Sequence, residues 1–114
     1  MTETRYHFLG TPLTDQEREL LTIMQEECAE VIQAASKLLR FGKEYYDGYG
    51  DNQVVLGLEI GDTQHMFELL ITSGLISIGV TEAGKERKAG RLKLFMRHID
   101  VVDMLNDMLN GTET

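Results

Sequence analysis

The sequence predicts an all-α fold, a four-helix, bundle-like domain, on three observations. Apolar residues recur at three- and four-residue spacing along most of the chain, and nothing alternates with period two long enough to require a strand. The single proline is at position 12, so helices beyond it can run unbroken. Cap residues and glycines punctuate the pattern at helical intervals.

Thr14 followed by Glu17 is a capping-box signature and opens the first predicted helix. From there to Phe41 the apolar residues Leu20, Ile23, Met24, Val31, Ala34, Ala35 and Leu38 keep the helical period, and Gly42 is a natural stop. Residues 42–51 read as a loop rich in Gly and Tyr. Asp51 or Asn52 caps a second helix running to about Ser73, with Gly74 behind it. Residues 75–80 read as a connector. Thr81 is the predicted cap of a third helix reaching about His98. Residues 99–109 are amphipathic through Val102, Leu105, Met108 and Leu109, as a fourth helix or a continuation of the third.

The 114 residues suit one domain, with residues 1–12 and 111–114 at its periphery. A formal charge of −8 argues against binding a nucleic-acid polymer, which needs Lys and Arg to displace counterions. One Cys excludes an internal disulfide and suits a reducing compartment. Met1-Thr2-Glu3-Thr4-Arg5 does not read as a signal peptide, and the apolar run 69–80 is broken by Thr72, Ser73, Gly74 and Gly79. The expectation is a cytoplasmic protein with no membrane partner.

The acids carry the chemistry. Glu26-Glu27-Cys28-Ala29-Glu30 reads E-E-x-x-E, and Glu59-Ile60-Gly61-Asp62 reads E-x-x-D. Residues three or four apart share a helix face, so each segment offers a small carboxylate cluster. With Asn52 set at zero on a helical wheel, Glu59 falls at about 340° and Asp62 at about 280°, inside an apolar arc from about 240° to 80°. With Glu26 at zero, Glu30 falls at about 40° and Glu27 at about 100°, against an apolar arc from about 60° to 240°. Glu27 is thus core-facing, Glu30 at the edge and Glu26 just outside. Buried carboxylates need a cation or strong donors. Two such helices face to face make an oxygen-only site of the kind Mg²⁺ prefers.

Gln33, Lys37 and Arg40 continue the polar edge of the first helix. Lys88 shares a wheel face with Leu92, Phe95 and Ile99, and Arg91 lies about 60° away. Lys88 suits either a snorkelling cation or a phosphate clamp, whereas Arg91 and Arg40 suit surface ion pairs first. His65 reads as a packed or surface side chain, since the other helix lacks the matching His of a dinuclear motif. Tyr45, Tyr46 and Tyr49 suit base stacking or loop packing equally, and the Met residues suit core filling. Gly57 and Gly61 face away from the acids and hint at a subunit contact.

E-E-x-x-E, a 28-residue gap, then E-x-x-D resembles the MazG-like, all-α nucleoside triphosphate pyrophosphohydrolases, particularly their small phage-type members. The resemblance spans residues 14–98 and includes Ala34, Lys37, Arg40, Phe41, Gly42, Asn52, Leu56, Lys88, Arg91 and Leu92. The chain departs from the pattern at Gly90, inside the basic helix, and in its last segment. The resemblance implies a MazG-type fold completed by self-association, as a homodimer or homotetramer. It implies hydrolysis of a (deoxy)nucleoside triphosphate to monophosphate and pyrophosphate, with Mg²⁺ as cofactor and Mn²⁺ as substitute. Glu27, Glu30, Glu59 and Asp62 would then hold the metal. Glu26 and Glu27 would serve catalysis, Glu26 by completing a second metal or orienting the attacking water. Lys37, Arg40, Asn52, Lys88 and Arg91 would bind substrate. Two alternatives stand beside this: a phosphoribosyl-ATP pyrophosphohydrolase, and a non-catalytic helical module with a structural cation.

Overall fold

A computed structural model describes residues 10–44, 50–98, 105 and 108. Among them it has three helices and no strand: α1 (Asp15–Phe41), α2 (Asn52–Thr72) and α3 (Ile78–Phe95). They fall into two compact units, Met1–Leu75 with α1 and α2, and Ile76–Thr114 with α3.

The predicted boundaries of α1 and α2 hold for stated reasons. The Glu17 amide donates to Thr14 Oγ1 (3.1 Å) and the Thr14 amide to Glu17 Oε1 (2.8 Å), so the capping box is complete. At the other end Gly42 sits at φ 89° and its amide donates to the Leu38 carbonyl (2.9 Å). That left-handed φ is one a residue with a Cβ resists. Asp51 caps α2 by accepting from the Val54 amide at Oδ1 (2.9 Å). Asn52 then closes the connection between the helices, its Nδ2 donating to the Gly42 carbonyl (3.0 Å).

The hairpin core is narrow. On α1, Leu20, Met24, Glu27, Val31, Ala34 and Leu38 are buried or half-buried; on α2, Asn52, Leu56, Glu59, Thr63, Met66 and Leu70 are. Each series steps by four and three residues, the spacing of a seam between two packed helices. Only Ala34, Met66 and Leu70 are fully buried apolar residues among those described.

α3 departs from expectation at its start. Ser77 is the cap, with Oγ accepting from the Val80 amide (3.4 Å). Thr81 lies inside the first turn, and its Oγ1 donates to the Ser77 carbonyl (3.0 Å). Gly79 and Val80 are weak helix formers, which hides this earlier start in the sequence. The helix ends at Phe95 and buries no residue. On the predicted Lys88–Leu92–Phe95–Ile99 face, Phe95 is exposed and Leu92 half-buried, and Ile99 lies outside the described residues. The expected fourth helix, residues 99–109, lies outside the described residues except for Leu105 and Met108, which are helical and exposed. No helix among the described residues is long and apolar enough to cross a membrane.

Candidate metal centre

Two seam positions that a hydrophobic core would fill with Leu are instead Glu27 and Glu59. The facing seams therefore bring carboxylates from α1 and α2 together. Glu27, Glu30 and Glu59 each place one carboxylate oxygen within 4.8 Å of the other two. Ligands on opposite sides of one ion are about 4.2 Å apart for Mg²⁺ and about 4.8 Å for Ca²⁺, twice the metal–oxygen distance. A spread of up to 4.8 Å is wider than a Mg²⁺ shell, so the three carboxylates could hold one cation by closing slightly toward one another.

The acids are poorly satisfied by the protein alone. Oε2 of Glu27 and Oε2 of Glu59 are shut off from solvent and have no hydrogen-bond partner. Partial burial raises the Glu27 pKa above its ordinary 4.5, and the charges of Glu30, Asp62 and Glu26 push it the same way. For Glu59 a hydrogen bond with the Glu30 carboxyl is the largest cause, followed by burial and the charges of Glu30, Asp62 and Glu27. A raised carboxyl pKa means that the ionised form is the strained one. A bound cation relieves that strain, as does a proton.

The other predicted residues take varied places. Asp62 is exposed and stands outside the convergent trio, although the wheel put it on the apolar arc. One turn beyond Glu59, it acts on the cluster through its charge. Glu26 is exposed, beside Glu27 in sequence. Lys37 is half-buried and lines a groove of about 660 Å³ with Glu30, Gln33, Ala34, Val55, Leu58 and Glu59. Acids, a cation and apolar walls thus share one opening. Arg40 is exposed, with its guanidinium 5.0 Å from the Phe41 ring centre. Asn52 is 2% exposed and fastens the loop to α2. Lys88 and Arg91 are exposed on α3, in the second unit. His65 is an exposed side chain, 3.9 Å from Glu68. Tyr45, Tyr46 and Tyr49 lie outside the described residues.

Sequence reasoning passed over Val55, Leu58 and the groove role of Ala34. Their signal was available, since Val55 and Leu58 fall at about 300° and 240° on the wheel that places Glu59 at about 340°. Thr63 was also missed. It is buried, and its hydroxyl donates to the Glu59 carbonyl (2.9 Å), tying down the turn that carries the acid.

The chain matches no family model, no curated protein and no solved structure.

Proposed function

We propose that the protein is a Mg²⁺-dependent nucleoside triphosphate pyrophosphohydrolase of MazG-like type, with Mn²⁺ as an alternative metal. One observation carries the proposal: three carboxylates from two helices converge within 4.8 Å, and two of their oxygens are sealed and unpartnered. The donor set is all oxygen and highly charged, which fits a hard divalent cation. Glu27, Glu30 and Glu59 would hold it, with Asp62 adding charge from the rim. Such a cation neutralises a polyphosphate and stabilises the charge that develops at phosphorus.

The chain's own residues supply the rest. Glu26, next to Glu27 and exposed, would complete a second metal or orient the attacking water and accept its proton. Lys37 lines the groove with Glu30 and Glu59, and its ammonium would bind phosphate oxygens there. Val55 and Leu58 give the groove an apolar wall of the kind a nucleoside needs. Water adds to the α-phosphorus, the bond from that phosphorus to the bridging oxygen breaks, and pyrophosphate leaves with that oxygen. The E-E-x-x-E and E-x-x-D pattern supports this reaction over other uses of a cation. A homo-oligomeric four-helix arrangement belongs to the same proposal.

A nucleotide panel with pyrophosphate detection, run with and without Mg²⁺, tests the proposal. Release of pyrophosphate from dNTPs or NTPs supports it, and selective turnover of phosphoribosyl-ATP would move the assignment to that related hydrolase. A non-catalytic module would bind Mg²⁺ and gain thermal stability while releasing nothing.

A further inference from the structure

α3 carries more cations than its own acids balance. Its 18 residues hold five bases and two acids, in a chain of net charge −8. With Lys85 set at zero on a wheel, Arg87 falls at about 200°, Arg91 at about 240° and Lys88 at about 300°. Both acids lie on the opposite side, Glu82 at about 60° and Glu86 at about 100°. Lys85 pairs with Glu82 (3.3 Å), whereas no ion pair reaches Arg87, Lys88 or Arg91 among the described residues. The same arc carries Val80 at about 220° and Phe95 at about 280°. All five of its side chains are exposed, Val80 at 68% and Phe95 at 77%. α3 therefore shows solvent a face on which three cations and a phenyl ring are interleaved, with no acid among them.

We propose that this face binds single-stranded nucleic acid, with Arg87, Lys88 and Arg91 on the phosphates and Phe95 stacked on an unpaired base. Cations interleaved with an aromatic ring match a strand that presents phosphates and flat bases together. Other polyanions fit the face less well. A helix in the major groove of a duplex has a phosphate backbone on each side, and Glu82 and Glu86 would meet one of them. A lipid surface takes an apolar face with cations at its margins, and here Arg91 stands between Val80 and Phe95. The net charge of the whole chain does not forbid the contact. At 0.1 M salt, exposed charges are screened beyond about 10 Å, so a strand on α3 meets mainly the charges of α3. The proposal rests on α3 alone and stands whether or not the acids of the hairpin hold a cation.

Fluorescence anisotropy of a labelled oligo-dT strand of about 20 nucleotides, titrated with the full-length protein, tests this. EDTA is present, so that no cation bridges the strand to the acids of the hairpin. At about 50 mM salt the expected dissociation constant lies between about 1 and 100 μM, and raising salt to about 200 mM should weaken binding roughly twentyfold, as three phosphate contacts require. Oligo-U should bind as oligo-dT does, because phosphates and base faces are common to RNA and DNA. Arg91→Glu should weaken binding several-fold more than Lys93→Glu, the same charge change on the side that carries the acids. Phe95→Leu should weaken it at least about fivefold while Phe95→Tyr keeps it, which separates stacking from apolar burial. These side chains are exposed, so circular dichroism should keep its helical signal throughout. No anisotropy change at about 100 μM protein would overturn the proposal, since that is the weak end of non-specific binding. So would equal losses in Arg91→Glu and Lys93→Glu, wild-type binding by Phe95→Leu, or tighter binding to a duplex or to phosphatidylserine vesicles.

Discussion

Replacing Glu59 with Gln separates a cation site from an ordinary acidic surface, because the two states of the protein should respond with opposite signs. In the metal-free protein, ionised Glu59 faces Glu30 and Glu27 with a sealed Oε2 and a raised pKa. Glutamine removes one of three converging charges and brings an N–H donor to the Glu30 carboxyl. The metal-free variant should therefore melt at or above the wild-type temperature at neutral pH. Saturating Mg²⁺ should act differently. Binding to the folded state alone stabilises by RT ln(1 + [L]/Kd), about 1.4 kcal/mol at ten times Kd. At roughly 4–8 °C per kcal/mol for a small domain, wild type should gain about 5–11 °C. The variant should gain little, having lost one of three ligands, and its turnover should fall by at least about a hundredfold. Thermal melts with and without Mg²⁺, paired with pyrophosphate release, read all three effects. A variant that melts well below wild type without metal, yet gains the same increment from Mg²⁺, would refute the cation site.

Other consequences follow from the same geometry. The folded protein keeps protons on Glu27 and Glu59 above pH 4.5 that the unfolded chain has lost, so metal-free stability should fall as pH rises from 4.5 through the raised folded values; denaturant titrations across that range check the sign. Mg²⁺ competes with those protons, so its affinity by calorimetry should climb over the same interval. Asn52→Ala removes the amide that fastens α2 to the Gly42 carbonyl and should cost about 1–3 kcal/mol by denaturant melt. Gly42→Ala forces a Cβ into φ 89° and should cost about 1–2 kcal/mol, although no atom crowds the position. Lys37→Ala should raise KM for a triphosphate more than it lowers kcat, measured by steady-state pyrophosphate release.

Both helices of the hairpin were legible in the sequence because their punctuation is strong: a capping box at Thr14, a capping Asp51, and Gly42 and Gly74 at positive φ. α3 was less so, since Ser77 caps a first turn containing Gly79 and Val80 while Thr81 imitates a cap four residues on. In the candidate site, wheel arithmetic put Glu27 toward the core, Glu30 at its edge and Glu26 outside; Glu27 is half-buried, and Glu30 and Glu26 are both exposed. It misplaced Asp62 because a broad apolar arc treats its rim like its centre. The rim of a two-helix contact stays wet when no third element covers it. The wheel marked Asn52 as inward but not as close to the Gly42 carbonyl. That contact depends on how the chain returns from α1, which helical periodicity does not encode.

Following dNTPs and NTPs by ³¹P NMR with purified protein, in the presence and absence of Mg²⁺, reads the proposed hydrolysis itself. Mg²⁺-dependent conversion of at least one triphosphate to monophosphate and intact pyrophosphate in equal amounts is expected, abolished in Glu59→Gln. Absence of turnover across the panel, or release of orthophosphate with a diphosphate left behind, would contradict it.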